Sequence, residues 1–452
     1  GAILGAAYGV AYYLRFSYEL GTDTLAIHSG VLTRTDRDIP LRRVQNVDLR
    51  QSLLQRLLGL AVVRVETAGG GQTEAVLNFV AKPEAERLQR EIRERKAGTT
   101  ATEEPSGAAP AGPASLFAIG DVELGLYALT AFQPGSVLLL VFAVPFGWEV
   151  ASDVLLRVAA PLGGPTELDP RALASTAGLV LAVVGTLLAA LTSWAISFLY
   201  TLVGYHGFEL GRMGDDLVYE RGLLRRYSGS IPLSKVQTLT LTEHVLARRL
   251  GYAGLRVETA GYSRGGDGGQ GRSNRPASAV PLATRERALA LARSVEGFGE
   301  LSFTRPPRMA RRRYAARYLF VVLVLTGVLY GVGLAIGGLD YWFAPLALLP
   351  LVPVAAHLKW ANRGYHVGAD HVALRSGFWR RTTRVVPYYR LQTVETRRSL
   401  FQRRLDLASL VADTASAGSL FGSAAVAYDV STATGRRLHR ELRERLSAAS
   451  GG

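Results

Sequence analysis

The chain contains no cysteine. Disulfide frameworks, thiolate zinc sites, iron–sulfur clusters and cysteine nucleophiles are therefore excluded, and redox compartment is left open. Lysine is scarce: Lys82, Lys96, Lys235 and Lys359 are the only four, so arginine carries the positive charge. The seven histidines (His28, His206, His244, His357, His366, His371 and His439) form no HExxH pair, triad or metal-ligand spacing. No catalytic residue, metal or cofactor is expected, and the chain reads as a non-enzyme. Gly266, Gly268 and Gly271 satisfy a GxGxxG spacing, but the stretch continues as Arg272, Ser273, Asn274, Arg275 and Pro276 and opens no helix. Without a helix dipole to meet a phosphate it reads as a hairpin loop.

Charge is also missing from long stretches. Of 452 residues 48% are hydrophobic and 20% charged, and mean hydropathy is +0.15. Residues 124–148, 175–203, 318–339 and 341–356 lack Asp, Glu, Lys and Arg. A bilayer core needs about 20 apolar residues in a helix. The second and third runs meet this outright. The first needs its Gln133-Pro134-Gly135 kink inside the membrane, and the fourth is short, with Pro345, Pro350 and Pro353. Residues 1–16 read as the tail of a further span that begins before Gly1. Intramembrane ionisable groups are the usual mark of ion-coupled transport and proton pumping, so their absence weakens that function class.

The remaining charge is lopsided, with 52 Lys+Arg against 37 Asp+Glu, a net +15 and a pI near 10.1. Such an excess points to an anionic partner. Arg15, the group Arg308, Arg311, Arg312, Arg313 and Arg317, and the pair Lys359 and Arg363 flank the apolar runs on one side. Residues 149–171, with Glu149, Asp153, Glu167 and Asp169, read as an external connection, as does the turn at Asp340. Asp121 and Glu123 dissent. By the positive-inside bias the large polar segments are expected in the cytoplasm, at the plasma membrane.

Those polar segments repeat. Gly30, Gly222 and Gly377 lie 192 and then 155 residues apart (222 − 30 and 377 − 222), and the same offsets align much else. Pro40 meets Pro232 and Pro387; Gln45 meets Gln237 and Gln392; Arg56 meets Arg248 and Arg403; Leu58 meets Leu250 and Leu405. Thr67-Ala68 meets Thr259-Ala260 and Thr414-Ala415. One unit is written three times. In the first copy, alternating residues 24–28 turn at Ser29-Gly30 into 31–34, a hairpin signal. Residues 44–49, 62–67 and 75–80 alternate as strands, and residues 52–58 read as a short helix. Each unit closes with an amphipathic helix: Ala85, Leu88 and Ile92 share a face in the first copy, Leu438, Leu442 and Leu446 in the third. Glu91 and Arg95 are spaced to pair.

Tyr18, Ser29-Gly30, Ile39-Pro40-Leu41, Val44-Gln45, the run from Leu53 to Gly59 and Val65-Glu66-Thr67-Ala68 together resemble the bacterial PH-like (bPH_2) membrane protein family of the YdbS/YdbT type. The resemblance covers nearly the whole chain. The second copy departs by an insertion around residues 262–278, the third by Asp406 in place of glycine and Ala412 in place of valine. It implies an α+β membrane protein in which transmembrane hairpins alternate with three PH-like antiparallel barrels or sandwiches, each with a C-terminal helix. The expected order is a partial membrane helix (1–16), PH-like unit 1 (17–96), a flexible linker (97–120), a hairpin (121–203), unit 2 (204–297), a basic linker (298–317), a hairpin (318–359) and unit 3 (360–447).

The family transfers no catalytic residues, so candidate sites come from charge. Arg56, Arg248 with Arg249, and Arg397, Arg398, Arg403 and Arg404 lie on or beside the repeated short helix. Arg225 and Arg226, and Arg380 and Arg381, follow the glycine turns. The short helix is expected to pack Leu53, Leu54 and Leu58, and their counterparts, on the unit while presenting arginine to anionic lipid headgroups. A scaffold at the inner leaflet, binding lipid headgroups, a protein partner or further copies of itself, is the first reading. A transport or export component with PH-like units as regulatory or assembly modules is the second. Nucleic acid is not expected, because the charge is spread over three tethered units without interleaved aromatics.

Overall fold

The structure, a computed structural model, describes residue 11 and residues 14–31, 33–67, 75–98, 114–131, 148–167, 176–259, 279–336, 342–415 and 424–450. Unit 1 contains β1 (Ser17–Leu20), β2 (Thr24–Ser29), β3 (Thr35–Pro40), β4 (Val44–Gln51), the one-turn helix α1 (Leu53–Leu57), β5 (Leu60–Thr67), β6 (Ala75–Ala81) and the closing helix α2 (Lys82–Gly98). The stretch β7 (Ala114–Ala118) and helix α3 (Asp121–Thr130) follow. Next come α4 (Trp148–Ala159) and the long α5 (Thr176–Tyr205). Unit 2 has β8 (Glu209–Met213), β9 (Asp216–Arg221), β10 (Arg226–Pro232), β11 (Val236–His244), α6 (Val245–Arg249), β12 (Tyr252–Thr259), β13 (Val280–Thr284) and α7 (Arg285–Val295). The long α8 (Arg308–Ile336) and α9 (Leu351–Ala361) lead to unit 3: β14 (Gly364–Val367), β15 (His371–Ser376), β16 (Arg380–Pro387), β17 (Leu391–Arg397), α10 (Leu400–Arg404), β18 (Leu407–Thr414), β19 (Ala425–Ser431) and α11 (Thr432–Ser450).

The repeat seen in the sequence is a repeat of backbone detail. The turn glycines Gly30, Gly222 and Gly377 take φ of 108°, 107° and 92°. A Cβ there would sit 1.8, 2.0 and 2.1 Å from the carbonyl oxygens of Thr33, Arg225 and Arg380, so no other residue fits. The strand after the first of these turns starts at Thr35, later than the alternation at 31–34 suggests, because the tight turn uses those residues. The prolines end β3, β10 and β16. The next residues donate backbone hydrogen bonds to Asp23 (2.8 Å), Asp215 (3.0 Å) and Asp370 (3.0 Å). Each repeated glutamine marks a β-bulge: the ladders skip a position between Val44 and Asn46, Val236 and Thr238, and Leu391 and Thr393. Where units 1 and 2 place Gly59 and Gly251 at positive φ, unit 3 has Asp406 at 52°, a conformation aspartate tolerates.

Each unit divides into a sheet of its first three strands and a sheet of its last three, all antiparallel. The closing helices cover them as their periodicity requires. Ala85, Leu88 and Ile92 are buried with Leu25, Val63 and Leu77 in unit 1, and Leu438 and Leu442 are buried with Leu410 and Val430 in unit 3. Glu91 and Arg95 pair at 2.5 Å. The sheets do not stop at unit boundaries. One runs β6-β5-β4-β10-β9-β8-β7, joining units 1 and 2; another runs β13-β12-β11-β16-β15-β14, joining units 2 and 3. The core of unit 2 accordingly continues into Ala373 and Val385 of unit 3.

Three stretches differ from the sequence reading. β7 lies within the segment expected to be a linker (97–120), yet it extends the sheet of unit 2, pairing Ala114 with Arg212 and burying Phe117 against Phe208. Phe117, with Leu116 partly buried beside the same core, supplies the apolar area that holds it. Residues 149–159, expected in an external connection, are helical in α4: Ala159 and Leu155 face α5, while Arg157 pairs with Asp153 at 2.9 Å on the other side. Within the proline-rich run, residues 342–356 form a 3-10 turn (Ala344–Leu348) and then the start of α9, rather than one helix, with Pro345 in the turn and Pro350 capping α9. Among the described residues, two helices are long and apolar enough to cross a bilayer, Val180–Tyr205 and Arg308–Leu334. The GxGxxG stretch, the insertion at 262–278, the kink at 133–135 and most of 1–16 lie outside the described residues.

Candidate functional site

The two junctions between units use one register. Gln51, Arg50 and Leu49 of β4 face Arg226, Tyr227 and Ser228 of β10. Glu243, Thr242 and Leu241 of β11 face Arg381, Thr382 and Thr383 of β16. Shifted by the repeat offsets, these are the same pairs. The short helix locks each junction: Arg56 Nη1 donates to the Leu223 carbonyl (3.5 Å), and its counterpart Arg248 Nη1 donates to the Phe378 carbonyl (3.3 Å). Both acceptors follow the turn glycine of the next unit.

At the second junction the charge is concentrated. Glu243 is 3% exposed and receives two hydrogen bonds from Arg381, Nε at 2.8 Å and Nη2 at 2.6 Å, with Arg285 Nε 3.5 Å away. A bidentate pair of this kind fixes orientation as well as charge. Arg375 lies close by, stacked 3.6 Å over the Phe303 ring; burial, reinforced by Arg381, pushes its pKa down to about 10. One carboxylate thus organises several guanidinium groups where two units meet.

The arginines singled out from the sequence therefore separate. Arg56, Arg248 and Arg381 reach across junctions, and Arg226 pairs within its own unit with Glu220 at 2.5 Å. Arg398 lies 3.9 Å from Asp406, and Arg397 pairs with Glu395 at 2.7 Å. Arg225, Arg249, Arg380, Arg403 and Arg404 are exposed. The structure does not gather all eleven into one cluster.

The short helices face the other way from the sequence expectation. Most of their apolar residues do not pack on the unit: Leu53, Leu54, Leu57 and Leu58, Leu246 and Leu250, and Leu400 and Phe401 are exposed, whereas Val245 is half-buried and Leu405 packs beside Leu407. The reason is length. A one-turn helix held by a capping box (Ser52 with Gln55, Ser399 with Gln402) turns few positions inward, and Ala247 and Gln402 take them. Exposure reaches 83% at Leu57, 73% at Leu400 and 70% at Phe401. The glycine-turn tips add Leu223 and Leu224 and, at 78% exposed, Trp379.

These tips sit where helices lead into the units. Leu223 N donates to the Val203 carbonyl and Gly222 N to the His206 carbonyl, both 2.9 Å, at the end of α5. Val245 N donates to the Trp379 carbonyl (3.1 Å), and Arg248 Nη1 also donates to Asn362 Oδ1 (3.2 Å), just after α9. Unit 3 is tied to α8 and α9 through Asp429, fully buried at φ 58°. Its carboxylate receives Arg363 Nη1 (3.1 Å), the Tyr314 hydroxyl (2.5 Å), Gln402 Nε2 (2.8 Å) and Arg313.

Neither Glu243 nor Asp429 stood out in the sequence. Asp429 left one signal, a carboxylate in core register with the buried Ala425 and Ala427 of an alternating strand. Glu243 left none, because its partner is 138 residues away. Among the described residues no group of three or more His, Cys, Asp or Glu could hold a metal ion.

A threefold β-rich module joined edge to edge, with membrane-length helices between the copies, defines a class: membrane proteins with repeated PH-like domains. The family described as Bacterial PH domain (bPH_2) matches residues 1–96, 158–298 and 316–446, and the chain belongs to it. It is similar to UPF0699 transmembrane protein YdbT of Bacillus subtilis (strain 168), with 24% identity over 425 residues, covering 88% of this chain and 79% of the relative. No solved structure matches it.

Proposed function

We propose that the chain is a non-enzymatic scaffold of the plasma membrane whose PH-like units stand on the cytoplasmic side and grip anionic lipid headgroups. The uncharged runs 124–148 and 341–356 supply the return crossings, so that two crossings separate consecutive units and all three share one side. Arg308, Arg311, Arg312, Arg313 and Arg317 at the start of α8 support a cytoplasmic side by the positive-inside bias.

One observation carries the lipid reading: exposed Leu57, Trp379, Leu400 and Phe401 stand where α5, α8 and α9 meet the units, with Arg249, Arg403 and Arg404 exposed on the short helices. Large apolar side chains left in water beside a bilayer gain about 1.5–3 kcal/mol each on burial. Each arginine near an anionic leaflet adds about 1 kcal/mol. Apolar tips entering the acyl boundary, with guanidinium groups at the phosphates, use both terms.

The test is fluorescence quenching. The full chain is reconstituted in vesicles of brominated phosphatidylcholine with and without phosphatidylglycerol, and the Trp379 signal is isolated by difference from Trp379→Phe. Strong quenching that grows with phosphatidylglycerol, and that Arg403→Glu with Arg404→Glu reduces, supports the reading. A Trp379 signal untouched by brominated lipid in both vesicles refutes it.

A further inference from the structure

The junction geometry leaves the described array with two unlike open edges. At each junction the fourth strand of one unit pairs with the third strand of the next: β4 with β10, β11 with β16. The same strands at the ends of the array have no such neighbour among the described residues. β3 is the edge of β1-β2-β3, and β17 is the edge of β17-β18-β19.

Their exposure follows. On β11, Gln237, Thr238 and the junction-paired Thr240 are buried, whereas their counterparts on β17, Gln392, Thr393 and Glu395, are exposed. On β16, Thr383 and Val385 are buried; their counterparts on β3, Asp36 and Asp38, are exposed. An open strand edge is a template for another strand.

We propose that β17 of one copy of this chain pairs antiparallel with β3 of a second copy, in the register of the internal junctions. By the repeat offsets, Thr240 facing Arg384 becomes Glu395 facing Arg37, and Leu241 facing Thr383 becomes Thr396 facing Asp36. Opposite charges meet directly at Glu395 and Arg37, an arrangement that favours this register over slipped ones. Arg397 comes opposite Thr35, on the face that carries Glu395 and Arg37, while Asp36 and Asp38 lie on the other face. Arg398 comes opposite Arg34, and Asp406, 3.9 Å from Arg398, offsets that like-charge contact. The contact continues the interface that already joins the units inside the chain, and both copies approach from the same side of one membrane. It is heterologous, so it closes into a ring or runs on as a filament rather than stopping at a two-fold dimer. Lipid binding is not required for it.

The absence of native cysteine makes the test direct. Full-length Arg37→Cys and Glu395→Cys variants are co-reconstituted in vesicles and oxidised. Facing residues in an antiparallel pair are close enough for a disulfide. A covalent dimer from the mixture, a ladder of multimers from the double variant and no product from either variant alone are expected. Independently, single-particle mass measurement of the wild-type chain in detergent is expected to show dilution-dependent multimers. Arg37→Glu or Glu395→Arg weakens these about tenfold, and the combined exchange restores them. Wild-type chains that keep the mass of one copy at every concentration, or a dimer formed by Glu395→Cys alone, overturn the proposal.

Discussion

The inner junctions and the outer edges are built from the same strands, yet they differ in almost every physical respect. β11 lies between β12 and β16, and its residues from Val236 to Leu241 are buried. β17, its counterpart one repeat later, has β18 on one side only and exposes Gln392, Thr393, Glu395 and Arg397. Gln392 and Thr393 repeat the buried Gln237 and Thr238, so local sequence alone does not account for the difference; the presence of a following unit does. Burial in this molecule is a property of position in the array as much as of the residue.

That contrast can be broken most severely at Glu243. Glu243→Ala removes the carboxylate that Arg381 grips and leaves Arg381, 17% exposed, and the half-buried Arg375 among like charges. Breaking a buried pair by deleting one partner costs about 3–5 kcal/mol, read as a lower midpoint in denaturation followed by intrinsic fluorescence. A conservative Glu243→Gln keeps the shape and loses the charge; it is expected to fall between.

A matched pair comes next. Leu239 on β11 is 1% exposed and belongs to the continuous core, so Leu239→Ala costs about 2–5 kcal/mol. Val394, its counterpart on β17, is half-buried at the open edge, and Val394→Ala is expected to cost under about 1 kcal/mol in dilute, unassembled chain. Equal effects would mean that the two edges are alike after all.

A smaller effect depends on pH. Burial, with His366 nearby, holds the His371 pKa below its ordinary value. The folded state therefore favours neutral imidazole, so this contribution is complete above the unfolded histidine pKa of about 6.5 and lost as pH falls through and below it. Asp370 opposes the shift. Thermal midpoints measured across that range should decline toward acid, and less so in His371→Phe.

The smallest effect sharpens the comparison. Glu395 pairs with Arg397 in solvent, and its carboxyl is held below its ordinary range chiefly by the hydrogen bond from Arg397. Exposed pairs contribute little to folding. Glu395→Ala should leave the thermal midpoint of single chains unchanged while weakening association between copies, whereas Glu243→Ala should lower the midpoint itself.

Much of the fold was legible because it depends on local rules repeated three times. Gly30, Gly222 and Gly377 announce turns whose φ admits no side chain, Pro40, Pro232 and Pro387 close the following strands, and the spacing of Ala85, Leu88 and Ile92 marks a buried helix face. Short-range signals failed where a distant neighbour decides. β7 is a strand because β8 is there to pair with it, and the leucines of α1 and α10 face outward because a single turn has too few inward positions. Of the eleven arginines marked by charge, Arg56, Arg248 and Arg381 reach across junctions, which charge and spacing could not distinguish from solvent-facing positions.

By itself the sequence determined the threefold unit, the membrane-length apolar runs and the absence of thiol chemistry, since each follows from composition, from internal repetition or from periods of two to four residues. Only the tertiary structure decided that units join edge to edge in a constant register, that Glu243 and Asp429 anchor charge inside, and which edges stay open. Those outcomes require strands more than a hundred residues apart to meet, and hydrogen bonds between backbones carry no trace in the side-chain pattern of either strand alone.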